Sequence, residues 1–323
     1  MGSLFGTFDD EVVIFLQSFS PSLDSFFGLI TTFGDEILLM ALIIVVYACV
    51  DKKVALRIAF LLTIGGVAYT ALKGLFGYLR PYQSNPDIRG IKDALGSVTD
   101  GYSFPSGHAT NAGMFWTFLG VNFRNKILWV ISGFFLLMIP LSRNYLGVHY
   151  PSDVLVGVLI GVGLALILYW YSPRVEAYLG AIPDVYLFVG SALVGLIVLV
   201  IGTGLTAVAG NDIKLANPSD YVGLFVGLSW GVLLERRYVG FETDHYISSK
   251  PVIWSYRVFV GVFVAVFGYI LPKVLVGDIS DVVVEIVWDV VRRITLAMVL
   301  VFLVPLIYVK VEEVLEKRMT KQG

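Results

Sequence analysis

The sequence predicts an all-α protein, a polytopic bundle of about nine transmembrane helices. Hydrophobic residues make up 57% of the 323 residues and charged residues only 15%, which is too apolar for a soluble domain. The apolar residues fall in runs close to the roughly 20 residues that a spanning helix needs. The net charge of −2 does not indicate a nucleic-acid partner. One cysteine, Cys49, cannot form a disulfide framework or a cysteine metal site.

Nine apolar segments are the predicted spans, and the first and the seventh of them are short. They are residues 36–50, 54–79, 104–122, 126–142, 153–171, 184–208, 219–234, 252–276 and 287–310. The preceding segment, 8–32, is apolar but is interrupted by Ser20-Pro21 and Asp24. We interpret it as an amphipathic element that lies in the membrane interface. The alternative is that it forms a tenth span.

A boundary between two membrane regions is predicted within SPRVEAYLGAIP, where two prolines and a charged pair interrupt the apolar pattern. It separates a core, residues 1–171, with the interfacial element and five spans, from a four-span region with a cytoplasmic tail, residues 172–323. In this second region Gly223, Gly227 and Gly231 are spaced by four residues, which favours a flat helix face for close packing. The C-terminal helices are also a candidate interface for a homo-oligomer.

Lysine and arginine residues are concentrated on one side of the predicted bundle. The loops at 51–57, 123–126 and 235–250 and the C-terminal tail are basic, whereas the opposite loops are not once Arg80 and Arg143 are set aside. Short cytoplasmic loops carry such an excess of cations. We therefore expect a protein of the plasma membrane with its C-terminus in the cytoplasm and its N-terminus outside.

Three polar stretches interrupt the apolar pattern, and each lies at an end of a predicted span. They are KGLFGYLRP at 73–81, FPSGHAT at 104–110 and SRNYLGVHYPSD at 142–153. Tracing the chain through successive spans brings all three to the same membrane face, opposite the basic loops. The order of the spans therefore predicts one site on the extracytoplasmic face.

The residue types at this face suit the binding of a phosphate ester. Lys73, Arg80 and Arg143 supply cationic donors, and arginine can bind phosphate in a bidentate manner. Lys73 and Arg80 are seven residues apart, so we expect them on one face of the same helix. Ser106 and Gly107 lie at a predicted helix start, where free N–H groups attract anions.

Three further residues suit catalysis. His108 and His149 can divide the roles of nucleophile and general acid. Asp153 follows His149 by four residues, and it can orient one imidazole by accepting a hydrogen bond from a ring nitrogen. Each polar residue taken alone has an ordinary structural explanation, such as a helix cap or an interface anchor. Their convergence on one face favours a catalytic site.

The three stretches resemble the signature motifs of the type 2 phosphatidic acid phosphatase superfamily, which includes bacterial and archaeal lipid phosphatases and vanadium haloperoxidases. The pattern is lysine, six residues and Arg-Pro, then Pro-Ser-Gly-His, then Ser-Arg, five residues, histidine, three residues and aspartate; every position is present. The resemblance covers about residues 20–171. It implies a core helix bundle and metal-independent dephosphorylation through a phosphohistidine, without a cofactor.

The resemblance also implies a role for the motif residues. His149 is implied as the nucleophile, Asp153 as its partner and His108 as the acid that protonates the leaving oxygen. Ser142 belongs to the motif, but no role for it follows. The residues implied to cradle the phosphoryl group are Lys73, Arg80, Ser106, Gly107 and Arg143. Two features depart from the family: its usual first membrane helix is missing or reduced to 8–32, and the membrane region 184–310 is additional.

The sequence therefore predicts an integral-membrane lipid phosphatase. Candidate substrates are phosphatidic acid, phosphatidylglycerophosphate and polyprenyl phosphates or diphosphates, and the partners are the lipid phosphate and membrane lipids. Two alternatives stay open: a lipid phosphotransferase that uses the same site, and a non-catalytic lipid carrier. The third histidine, His245, is predicted to lie in a cytoplasmic loop without a catalytic role.

Overall fold

The computed structural model is predominantly helical over the residues that it describes, which are 4–94, 96, 98–243, 250–277 and 279–319. No β-strand occurs among these residues, and His245 lies outside them. In chain order the α-helices are α1 (Thr7–Gln17), α2 (Asp24–Thr31), α3 (Glu36–Cys49), α4 (Lys52–Phe76), α5 (Pro81–Ser84), α6 (Gly107–Phe123), α7 (Lys126–Tyr145), α8 (Pro151–Gly180), α9 (Asp184–Val208), α10 (Ser219–Tyr238), α11 (Lys250–Val276), α12 (Val282–Met298) and α13 (Val304–Met319). The predicted fold class, an all-α membrane bundle, is confirmed.

Each predicted span coincides with a helix or with the run of α12 and α13. In the described part of the chain, 6 helical stretches are long and apolar enough to cross a membrane. They contain α4, α7, α8, α9, α11 and the run from α12 into α13. The bent pair Asp24–Gly34 and Glu36–Cys49, with an angle of 54°, would add a broken seventh span. Helix α6 has only 17 residues, and α10 carries charges near both ends, so neither meets the same criteria.

The N-terminal segment 8–32 forms two short helices, α1 and α2, rather than one. Asp9 of α1 is buried and accepts hydrogen bonds from the backbone N–H and the hydroxyl of Ser152, at 3.1 and 2.7 Å. Asp24 of α2 accepts one from the hydroxyl of Tyr145, at 2.6 Å. Neither helix is long enough to span a membrane alone, although α2 belongs to the bent pair that passes the criteria together with α3; the alternative of a tenth span stays open. The interfacial location of this segment stays a prediction.

The chain divides into two compact units, and both are discontinuous in sequence. The first comprises Met1–Leu39, Leu61–Val175 and Val198–Pro218, and the second comprises Met40–Phe60, Glu176–Ile197 and Ser219–Gly323. Each unit thus contains segments from both sides of the boundary expected from the sequence. The division into 1–171 and 172–323 stays a prediction.

Glycines in the first unit let α6 and α8 approach closely. A Cβ atom on Gly161 would collide with the carbonyl oxygen of Thr110, and one on Gly157 would lie 2.7 Å from the carbonyl oxygen of Ser106. A larger residue at either position would push the helices apart. At the N-terminal ends of these helices the backbone N–H of Ser106 donates to the carbonyl oxygen of Asp153, at 3.1 Å. Close packing therefore joins the second polar stretch to the third.

In the second unit, α10 and α12 pack through the glycine face expected from the sequence. A Cβ atom on Gly223 would lie 2.6 Å from the carbonyl oxygen of Val290. One on Gly227 would lie 2.6 Å from that of Ile294. The interpretation of these glycines as a helix–helix contact is confirmed.

Candidate active site

The eight residues predicted to form the site are all in the first unit. Each lies at a helix end or in the adjoining loop: Lys73 in the last turn of α4, Arg80 directly before α5, Ser106, Gly107 and His108 at the start of α6, Arg143 in the last turn of α7, His149 in the loop before α8, and Asp153 in the first turn of α8. Six are buried, and Gly107 and His108 are partly exposed. The ends of four long helices therefore meet at this site.

Helix α4 ends at Phe76, before the chain reaches Arg80. Gly77 follows with φ of +61°, a left-handed conformation that favours glycine and terminates helices. The prediction that Lys73 and Arg80 share one helix face is therefore wrong, because the helix stops one turn early. The two side chains still converge: the carbonyl oxygen of Tyr102 accepts hydrogen bonds from Nζ of Lys73 and from Nη2 of Arg80.

Arg80 is buried and held by backbone carbonyl groups. Its Nε donates to Gly101 at 2.9 Å, its Nη2 to Asp100 at 2.7 Å, and its Nη1 to Val148 at 2.8 Å. Charged hydrogen bonds of this kind are strong, so the guanidinium has one fixed orientation. That orientation also brings Nη1 to 3.0 Å from Nε2 of His149.

His149 is buried, and its two ring nitrogens face different partners. Because arginine can only donate hydrogen bonds, Nε2 beside Arg80 must carry a lone pair. The proton of the neutral imidazole is then on Nδ1, which lies 3.5 Å from Oδ2 of Asp153 and 3.3 Å from Oγ of Ser103. In this tautomer Nε2 can act as a nucleophile.

Ser103 connects His149 to Asp153, and the sequence did not single it out. Its hydroxyl donates to Oδ2 of Asp153 at 2.5 Å, and its oxygen is placed to accept from Nδ1–H of His149. The backbone N–H of Tyr150 donates to the same carboxylate oxygen, at 2.9 Å. The only signal in the sequence is a serine three residues before Ser106, and nothing there shows that it faces α8.

Arg143 is fully buried and is held by two threonines outside the motifs. Its Nη1 donates to the hydroxyl of Thr31 at 2.7 Å and its Nη2 to that of Thr99 at 2.5 Å. Its Nε is buried and has no hydrogen-bond partner among the described residues. A buried donor without a partner is costly, so an anion that accepts from Nε would be stabilised here. In contrast, the hydroxyl of the motif residue Ser142 donates to the carbonyl of Ile139 in its own helix, at 2.6 Å.

The start of α6 forms another side of the site. Ser106 caps the helix, and its hydroxyl oxygen accepts from the backbone N–H of Ala109 at 3.4 Å. Gly107 packs against Tyr69, whose ring would lie 3.2 Å from a Cβ atom at this position. The first turn of a helix offers N–H groups to an anion, and glycine lets the anion approach the backbone closely.

His108 is the more accessible of the two motif histidines. Its side chain is 21% exposed, whereas that of His149 is 2% exposed. Its Nε2 lies 4.0 Å from Oδ2 of Asp35. An accessible imidazole beside a carboxylate suits proton exchange with a leaving group or with water.

The electrostatic surroundings of His149 favour its neutral form. Burial lowers the pKa of His149 well below its ordinary value, and the charges of Arg80 and Lys73 lower that pKa further. The hydrogen bond from Arg80 to Nε2 acts in the same direction. The site therefore keeps this imidazole unprotonated near neutral pH.

Two regions of the chain match families of known proteins. Residues 54–177 match the PAP2 superfamily, and residues 219–317 match a second family, described as PAP2 superfamily phosphatase, transmembrane extension. The chain belongs to the PAP2 superfamily. The first match contains all eight predicted site residues and Ser103. The additional membrane region of this PAP2 protein, which the motifs did not explain, corresponds from residue 219 onward to the transmembrane extension.

Several curated relatives of this PAP2 protein are bacterial. The lipid A 4'-phosphatase of Bacteroides thetaiotaomicron is 32% identical over 135 residues, which are 41% of this chain and 57% of that protein. Phosphatidylglycerophosphatase B of Bacillus subtilis is 28% identical over 86 residues, 24% of this chain and 42% of that protein. The bacitracin transport permease protein BcrC of Bacillus licheniformis is 38% identical over 78 residues, 23% of this chain and 36% of that protein. The chain thus spans about half the length of these relatives or less, and no solved structure matches it.

Proposed function

We propose that this PAP2 superfamily member hydrolyses lipid phosphates through a phosphohistidine on His149. The observation that carries the proposal is the geometry of that imidazole: Nε2 faces Arg80 with its lone pair, while Nδ1 is backed by Ser103 and Asp153. A neutral, oriented nucleophile beside fixed cations suits attack on a phosphoryl group. The names of two relatives, a lipid A phosphatase and a phosphatidylglycerophosphatase, support a lipid as the substrate.

In the first step, Nε2 of His149 attacks phosphorus, and the bond from phosphorus to the leaving oxygen breaks. The imidazole becomes positively charged, and Asp153 stabilises that charge through Nδ1–H and through Ser103. His108 transfers a proton to the leaving oxygen, so a monoester releases a lipid alcohol and a diphosphate releases a lipid monophosphate. The developing charge on the phosphoryl oxygens is stabilised by Lys73, Arg80 and Arg143.

In the second step, water attacks the phosphohistidine. His108, now neutral, accepts a proton from this water, and the bond between phosphorus and Nε2 of His149 breaks. The electron pair returns to Nε2, and inorganic phosphate leaves. This restores the proton that His108 gave to the leaving oxygen in the first step. The partial exposure of His108 suits its proposed exchange of protons with this water.

The substrate is proposed to keep its lipid tail in the membrane while its head group enters the site. Candidates are phosphatidic acid, phosphatidylglycerophosphate and polyprenyl phosphates or diphosphates, and the relatives add lipid A. The surfaces available for a tail are generic apolar helix faces, which do not select one of these lipids.

A phosphate-release screen tests the proposal. Purified wild-type protein should release phosphate from at least one lipid of the candidate panel, and His149→Ala should reduce turnover by at least ~10³-fold. Acid-labile phosphate should be trapped on the wild-type protein alone. Ser191→Ala is a matched control, because that hydroxyl donates to its own helix at the carbonyl of Phe188, at 3.0 Å.

Three outcomes would change the proposal. A His149→Ala protein that retains a tenth of the wild-type activity would exclude covalent catalysis by this residue. Transfer of the phosphoryl group to an added alcohol in preference to water, detected by mass spectrometry of the products, would indicate a lipid phosphotransferase. Failure to release phosphate from any lipid would favour a non-catalytic carrier.

We further propose that the site faces outside the cytoplasm and that the C-terminus lies inside. The support is the excess of lysine and arginine in the loops opposite the site. The test uses a Cys49→Ala background with single cysteines at two exposed positions, Asp87→Cys in the loop after α5 and Lys126→Cys at the start of α7. A membrane-impermeant maleimide on intact cells should label the first and spare the second. The reverse pattern would place the chemistry in the cytoplasm.

A further inference from the structure

The loop between α9 and α10, residues 209–218, reaches the site although neither family match covers it. It belongs to the first unit together with the catalytic motifs. The matches end at residue 177 and resume at residue 219. Any contribution of this α9–α10 loop to the site is therefore a feature that the superfamily match does not assign.

The loop contacts the end of α4, one residue from Lys73. Nδ2 of Asn211 donates to the carbonyl oxygen of Gly74 at 2.8 Å. This carbonyl is one of the last four of α4, which have no partner within their own helix. A Cβ atom on Gly77 would overlap with the amide of Asn211, so the side chain fits closely into the turn between Lys73 and Arg80.

The same loop contacts the segment that holds the cations. The backbone N–H of Asp212 donates to the hydroxyl of Tyr102 at 2.8 Å. The backbone carbonyl oxygen of Tyr102 accepts hydrogen bonds from the side chains of Lys73 and Arg80. Tyr102 is therefore held by the loop through its side chain while it holds both cations through its backbone.

The loop is itself anchored in the first unit. Oγ1 of Thr206, a fully buried residue near the end of α9, donates to the carbonyl oxygen of Ala216 at 3.1 Å. A Cβ atom on Gly74 would collide with the same hydroxyl. The C-terminal part of the loop is thus held close to α4, the helix that carries Lys73.

We propose that Asn211 and Tyr102 are positioning residues, through which the α9–α10 loop sets the places of Lys73 and Arg80 around the phosphoryl group. The inference rests on the proposed function for its substrate. The positions of Lys73 and Arg80 can nevertheless be tested without turnover, because a phosphate mimic binds where the phosphoryl group would bind.

The test compares the full-length wild-type protein with Tyr102→Phe and Asn211→Asp. Tyr102→Phe removes only the hydroxyl, and Asn211→Asp keeps the shape of the side chain but replaces its donor with an acceptor. Each should weaken orthovanadate binding and lower kcat/KM about five- to tenfold, the factor expected for one lost buried hydrogen bond. Thr203→Ala is the control, because that hydroxyl donates within α9 to the carbonyl of Leu199, at 2.7 Å; it should match the wild type.

Thermal unfolding separates positioning from general stability. A purely structural role would lower the unfolding midpoint and leave the vanadate affinity of the folded protein unchanged, which would overturn the inference. Wild-type vanadate affinity in Tyr102→Phe would also overturn it, even if Asn211→Asp fails to fold.

The same measurements separate this inference from the proposed function. A wild-type protein that binds vanadate but hydrolyses no lipid would refute the proposed function, and vanadate binding by the variants would still decide the inference. A wild-type protein with neither property would overturn both.

Discussion

Replacing Ser103 with alanine should slow the chemical step and leave substrate binding nearly unchanged. The hydroxyl of Ser103 donates to Asp153 at 2.5 Å and lies 3.3 Å from Nδ1 of His149. A hydrogen bond to a charged group contributes about 1.5–3 kcal/mol, and about 1.4 kcal/mol corresponds to a tenfold change in rate. The expected decrease in kcat is therefore about 10- to 100-fold. KM should change less than about threefold, because Ser103 lies beside Nδ1 of His149 and not beside Nε2, the proposed nucleophile.

The assay is steady-state phosphate release by purified protein, with kcat and KM determined separately. Ser132→Ala is the matched control: Ser132 is equally buried, and its hydroxyl has no partner in the part of the chain that the structure describes. That variant should stay within about twofold of the wild type. A wild-type kcat in Ser103→Ala would refute the argument that this hydroxyl links Asp153 to the imidazole. An equal loss in both variants would indicate a packing defect instead.

Three further predictions address the acid, the pH dependence and the absence of a metal requirement. His108→Ala should slow alkyl phosphates by ~10² to 10⁴ but aryl phosphates much less, because an aryl oxide needs no proton to leave; equal losses in parallel kinetics would contradict the role. Burial and Arg80 lower the pKa of His149, so the neutral nucleophile persists below the ordinary value of about 6.5, and the acid limb of kcat/KM should lie below that pH. Arg80→Gln removes a cation that disfavours imidazole protonation and should move the limb to higher pH; an unmoved limb would argue against this coupling. Activity should persist in the presence of a chelator, because cations surround the proposed phosphoryl position, whereas a hard divalent ion needs several oxygen ligands. Orthovanadate should inhibit. A loss of activity in chelator that magnesium restores would overturn the expectation that no metal is needed.

The helices could be predicted from the sequence because each depends mainly on its own residues. A spanning helix satisfies its backbone hydrogen bonds internally and needs only a sufficiently long apolar run. The exact ends were less predictable. Helix α4 stops at Phe76 because Gly77 turns the chain, although the apolar run continues to residue 79.

The motif residues could also be predicted from the sequence, since their order relative to the spans brings them to one face and their spacing resembles a known superfamily. What the spacing could not show is how they are held. Lys73 and Arg80 meet at the carbonyl of Tyr102 rather than along a helix face. A backbone carbonyl carries no sequence signal at all.

The sequence by itself determined the class of fold, the three polar stretches and the residue types that suit phosphoryl transfer. Only the tertiary structure decided which other groups complete the site. Ser103 joins His149 to Asp153, Thr31 and Thr99 hold Arg143, and the α9–α10 loop reaches Tyr102. The physical reason is that a hydrogen bond needs its two groups within about 3 Å and correctly oriented. For residues far apart in sequence, that condition depends on the whole path of the chain.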